Sequence, residues 1–127
     1  MGNREGAIYV ATGAKHIMRA VRSASSLKQV MPGIHVSIFA DEPVEHGVFD
    51  AVIPVEVAEH DMMDKIRYMR LTPYDRSLFL DADTFVCDDV SELFVLLERF
   101  DLAVAQDTYR IYSYDYEILK NTSTKSL

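Results

Sequence analysis

A chain of 127 residues, 49% hydrophobic and 26% charged, has the size and composition of one globular domain with a core of its own. Its net charge of −7 excludes the basic footprint that non-specific nucleic-acid binding needs, but not a phosphate-bearing ligand, because a divalent cation reverses the local sign. A lone cysteine, Cys87, excludes an intramolecular disulfide and points to a reducing, cytoplasmic setting, peripheral attachment to a membrane included; the thiol reads as buried and structural.

No apolar run approaches the roughly 18 residues of a membrane span, and the opening Met1 to Gly6 carries no signal-peptide pattern. Ala7 to Thr12 reads as a buried strand closed by Gly13. The stretch from Lys15 to Val30 reads as a helix: Ile17, Ala20, Val21, Ala24, Leu27 and Val30 recur at three-four spacing, Lys15, Arg19, Arg22 and Lys28 fall largely on the other side, and Pro32-Gly33 stops it. Ile34 to Ala40 is a second strand, ending in Asp41-Glu42-Pro43. Ala51 to Val55 is a third, and Pro54 inside it marks an edge strand or a short one. A second helix opens near Asp61 and runs through Met62, Ile66, Met69 and Arg70 to a stop at Pro73.

Leu78, Phe79 and Leu80 read as a fourth strand buried on both faces, ending abruptly in Asp81-Ala82-Asp83-Thr84. Asp89-Val90-Ser91-Glu92 fits a capping box ahead of a short helix with Val90, Leu93, Phe94 and Leu97 on its apolar face, and Asp88 and Asp89 are assigned to that cap. Leu102 to Ala105 is expected to be a fifth strand, ending in Gln106-Asp107. Residues 108–127 are Tyr-rich and then polar, and read as an irregular or partly helical tail. Strands alternating with helices predict an α/β fold, a mostly parallel sheet with flanking helices, as one domain over 1–127.

Chemistry concentrates at strand ends, where open α/β sheets bind their ligands. If the chain stays extended past Leu80, the period of two puts Asp81 and Asp83 on one side with the small Ala82 pointing away. Carboxylates about 5 Å apart repel by about 3 kcal/mol at an effective dielectric near 20, which protonation of one of them, or a cation suited to hard oxygen ligands, would relieve. The end of the first strand, Ala11-Thr12-Gly13, offers a close backbone approach and a helix N-terminus suited to anions. Asp41 could accept hydrogen bonds from a ribose or base, against the plainer reading of a turn residue ahead of Pro43. Lys65 reads by spacing alone as a solvated helix residue. The four histidines show no zinc-like spacing, and neither a dinucleotide fingerprint, a phosphate loop nor a nucleophile elbow is present.

An ordered set of short segments carries a resemblance. Ile8-Tyr9-Val10-Ala11-Thr12-Gly13, Ser25-Ser26-Leu27-Lys28, Phe49-Asp50-Ala51-Val52-Ile53, Asp64-Lys65-Ile66, Tyr74 to Thr84 and Leu93-Phe94 together resemble the donor-binding half of GT-A-fold glycosyltransferases of the glycogenin-like and lipopolysaccharide galactosyltransferase-like group, from residue 7 to about residue 107. The resemblance implies a Rossmann-like sheet and a transferase that uses a nucleotide-diphospho-sugar, usually a UDP-sugar, with Mn2+ or Mg2+. It implies that Asp81 and Asp83 hold the metal and, with Ala82 between them, the diphosphate. Ala11, Thr12 and Gly13 would lie near the uracil and Lys65 near the ribose. His16 stands where the family often has a Tyr facing the base. The family continues past the fifth strand into an acceptor-binding region and a late metal-ligating His, so the resemblance implies a truncated form, with Asn121-Thr122-Ser123 in place of a family Asn-Thr-Gly. A second copy or a partner chain would then supply the surface for the acceptor, a carbohydrate, a lipid-linked group or a protein.

Two other classes stay open on the residues alone. One is a nucleotide-sugar-binding module without turnover. The other is a haloacid-dehalogenase-like phosphatase with Asp81 as nucleophile and Asp83 as acid/base, although Phe85 holds the position where that motif wants Thr or Val, and three strands precede it.

Overall fold

The computed structural model describes residues 4–105, apart from 57, 60 and 61, and for 62 the backbone alone. Among the described residues seven elements follow one another: β1 (Glu5–Ala11), α1 (Ala14–Val30), β2 (His35–Ala40), β3 (Ala51–Pro54), α2 (Met62–Met69), β4 (Arg76–Phe79) and α3 (Glu92–Leu96). The four strands form one all-parallel sheet in the order β3-β2-β1-β4. The chain is thus α/β with a Rossmann-like sheet flanked by helices.

β1 sits between two neighbours and is buried along all but its first residue, which is why Ala7 to Ala11 read as a continuous apolar run. Its side chains alternate between two layers. Ala7, Tyr9 and Ala11 join Val36, Ile38 and Ala40 of β2 under the Ile17, Ala20, Ala24 and Leu27 stripe of α1. On the opposite face Val10 and Phe39 pack with Tyr68 of α2 and with the partly buried Ile53 and Phe79. The three-four spacing of α1 therefore settles its core face as expected.

β3 takes one edge, where the missing N–H of Pro54 is harmless; the next residue resumes pairing through Val55 N–H to Ala40 O at 2.9 Å. β4 takes the other edge among the described residues and is half-buried throughout. The expected burial on both faces is corrected accordingly: Leu78 and Leu80 lean on the α1 layer and Phe79 on the α2 layer, but no described strand covers the outer edge.

Three further expectations are revised. Leu102 to Ala105 form no strand: they pair with neither edge of the sheet, the open edge of β4 included, and Leu102 is 74% and Val104 80% exposed. Cys87 is exposed rather than buried: Val86 takes the core position, and its neighbour points the other way. At α3, Ser91 is the N-cap residue but makes no side-chain cap bond; Asp89 Oδ1 accepts the Ser91 N–H at 2.8 Å, a local turn in place of the capping box. The expected helix opener Asp61, the Gln106-Asp107 strand end, the tail at 108–127 and Asn121-Thr122-Ser123 lie outside the described residues. No described helix is long and apolar enough to cross a membrane.

The far end of the sheet is closed by an aromatic lock. Tyr74 lies against Gly6, where a Cβ would come within 2.3 Å of the ring. Its hydroxyl meets both Ser37 Oγ at 2.6 Å and His35 Nδ1. Burial raises the Tyr74 phenol above its ordinary pKa of 10.0, only partly offset by the Ser37 hydrogen bond.

Candidate functional site

Because β1 lies between β2 and β4, the carboxyl ends of the three strands form one rim. A cleft of about 480 Å³ opens there, lined by Ala11, Thr12, Gly13 and His16 from the β1–α1 junction, Lys65 from α2, and Asp81, Ala82 and Asp83 beyond β4. Its volume is in the ordinary range for small-ligand sites.

The β1–α1 junction turns at Gly13, whose φ is +86°. A Cβ there would meet nothing within 4 Å, so the requirement for glycine is conformational. Gly13 N–H donates to Asp41 Oδ1 at 2.8 Å, and Gly13 O accepts from Ile17 N–H at 3.1 Å as the first turn of α1 closes. Asp41 thus ties the end of β2 to the end of β1. It does not line the cleft.

The Asp-Ala-Asp segment is not an extended ladder. Pairing with β1 continues through Leu80 N–H to Ile8 O at 3.1 Å, and the chain then turns, with Thr84 N–H donating to Asp81 O at 3.1 Å. Strand periodicity therefore does not set the two carboxylates; they sit on a turn, and both residues line the cleft. Ala82 is buried in the α1 layer and anchors the turn from below.

A chain of hydroxyls fixes this turn to α1. Thr84 Oγ1 donates to Asp81 O at 2.7 Å. A hydroxyl has one proton, so the 2.8 Å bond between Ser23 and Thr84 must be donated by Ser23, and the 2.9 Å bond between Tyr9 and Ser23 by Tyr9. Burial pushes the Tyr9 phenol up to about 12, the Ser23 bond offsetting part of the effect. One turn further along α1, Ser26 Oγ donates to Ser23 O and accepts from Val86 N–H at 2.9 Å.

Lys65 Nζ lies 2.7 Å from Asp81 Oδ1. The same Oδ1 accepts the Ala82 N–H at 3.0 Å. Both contacts fall on one oxygen, leaving Oδ2 without a bond among the described residues. Beside Lys65, Asp64 is 2% exposed; it accepts the Glu59 N–H at 3.1 Å and pairs with Arg67 at 3.5 Å.

Eight of the nine residues singled out by sequence thus meet at one cleft, with Asp41 the exception. Sequence reasoning missed Val10, Arg19 and Asp64, which also line it, and Ser23, Ser26 and Thr84, which hold its floor. Two serines on the apolar face of α1, among Ala20, Ala24 and Leu27, were the available signal: hydroxyls kept on a core stripe need partners. Arg19, three residues after His16, shares its face of the helix.

Among the described residues no group of three or more His, Cys, Asp or Glu side chains could hold a metal ion. The protein part of any cation site here is two carboxylates. Two hard oxygen donors suit a cation such as magnesium or manganese that takes most of its ligands from elsewhere. The chain matches no protein-family model and no curated protein at a significant level of similarity.

Proposed function

We propose that this chain binds a nucleotide-diphospho-sugar, a UDP-sugar in the first instance, as the donor site of a metal-dependent GT-A-type glycosyltransferase. The observation that carries the reading is the convergence of Ala11, Thr12, Gly13, His16, Lys65, Asp81, Ala82 and Asp83, drawn from three separate segments, on one cleft at the carboxyl end of a parallel sheet. In such a site Asp81, through the uncommitted Oδ2, and Asp83 would hold the metal, which when bound supplies Lewis-acid neutralisation of the departing diphosphate. Lys65 fixes the rotamer of Asp81 and brings an ammonium to the ribose-diphosphate region. The β1–α1 junction lets a base approach the backbone at Gly13, with the His16 ring available to stack. Transfer would join an acceptor hydroxyl oxygen to the anomeric carbon, break the bond from that carbon to the diphosphate, and pass the hydroxyl proton to a base or to solvent.

Titration calorimetry with UDP, with and without manganese, tests the reading. Manganese-dependent binding that Asp83→Ala abolishes is expected. Absence of UDP binding overturns the donor site. Phosphate release from a generic phosphomonoester, lost in Asp81→Asn, would replace it with the phosphatase reading.

A further inference from the structure

Arg19 is the cleft residue with no role so far. It projects from the second turn of α1 into the cleft lining, is exposed, and makes no hydrogen bond or ion pair among the described residues. Lys65, the other lysine or arginine lining the cleft, is engaged with Asp81. Arg19 also stands one helical turn before Ser23, the residue that holds Thr84 at 2.8 Å next to Asp83. Residues four apart on a helix are neighbours on one face, and α1 runs away from the cleft, so Arg19 lies on the open side of the Asp-Ala-Asp turn.

The surroundings select the ligand chemistry. A guanidinium has five donors and no acceptor, and its planar fork matches phosphate oxygens. The 17-residue α1 begins at the same rim with no acidic residue in its first turn, so its N-terminus adds to the attraction for an anion. From these observations we infer that Arg19 is a diphosphate-binding residue, a second cationic arm that grips the ligand's phosphates from the α1 side while Asp81 and Asp83 act from the β4 side. The inference rests on the donor-site reading for the identity of the whole ligand, but its chemical core is a pyrophosphate site and can be tested as such.

Calorimetry on the full chain in manganese, with UDP, uridine and inorganic pyrophosphate as probes, decides it. Arg19→Gln should weaken UDP and pyrophosphate about tenfold, the loss of one charge-assisted contact, and leave uridine within about twofold on the same scale. Arg19→Lys should recover part of the loss. Arg22→Gln, one turn on but outside the cleft lining, should match the wild type, and unchanged thermal melting shows that the exposed substitutions leave the fold intact. Equal UDP and pyrophosphate affinities in wild type and Arg19→Gln overturn the inference while leaving the donor site standing. Pyrophosphate binding that depends on Arg19, without UDP binding, overturns the donor site and leaves the inference standing. Binding of neither probe by the wild type overturns both.

Discussion

Lys65 Nζ and Asp81 Oδ1, sixteen residues apart in sequence, stand 2.7 Å apart across the cleft. The pair joins α2 on one face of the sheet to the turn beyond β4. Both side chains are partly exposed, at 32% and 46%, so the pair adds little to stability; pairs of this kind contribute about 0–1 kcal/mol. Its consequence is orientation, since the ammonium and the Ala82 N–H both engage Oδ1 and leave Oδ2 without a bond among the described residues.

Lys65→Met should therefore separate folding from binding. Urea denaturation should change by less than about 1 kcal/mol, while manganese-dependent UDP affinity falls by about tenfold. A large loss of stability would show that the pair is a structural prop instead.

The hydroxyl chain makes the opposite prediction. Thr84→Val leaves the buried Ser23 hydroxyl without its acceptor and frees the Asp81 turn, at a cost of about 1–3 kcal/mol. Ser23→Ala and Thr84→Val should be strongly non-additive in a double-mutant cycle by denaturation, because they remove the same bond. Additive effects would mean that Ser23 and Thr84 act separately.

At the other end of the sheet, Gly6→Ala drives a methyl into the Tyr74 ring, which its two hydroxyl partners keep from swinging away. The expected loss is about 1–3 kcal/mol by overpacking. Combining it with Tyr74→Ala should remove the clash, so that the double variant is no less stable than Tyr74→Ala alone; thermal melting of the three proteins checks this.

Acid stability should report on Asp50. Burial works to raise its pKa, but the Lys28 ammonium at 2.7 Å, the Val36 N–H at 2.8 Å and the charge on His35 outweigh it and hold the group below its ordinary 3.8. A depressed carboxylate contributes stability that is full above its unfolded pKa and is lost as pH falls through the folded value. Below about pH 4 the melting temperature of the wild type should thus fall more steeply than that of Asp50→Asn. With 36% of the side chain exposed, the effect should be modest, and it should shrink in high salt. Identical acid limbs would remove Asp50 from the account.

Much of this arrangement was legible in the sequence because it depends on period and punctuation. The stripe from Ile17 to Leu27 follows from spacing and the edge placement of β3 from Pro54, whereas the rim shared by three strand ends also requires β1 to lie between β2 and β4. The reading was less successful where geometry depends on a partner distant in sequence. Asp81 and Asp83 reach the cleft on a turn tied to Ser23 through Thr84, not through strand alternation. Asp41 is occupied by Gly13, and Leu102 to Ala105 do not join the open edge of β4. Arg19 sat with the solvent-facing cations because helical spacing assigns a face but does not reveal that this face overhangs a cleft.

The two apolar layers of the fold are divided by the sheet, α1 resting on one and α2 on the other. The cleft is where side chains from both helices meet around the end of β1. A ligand seated there acts as a clasp between the two layers. Its binding should accordingly be felt well beyond the rim, as raised melting of the whole chain and slower amide exchange in both helices.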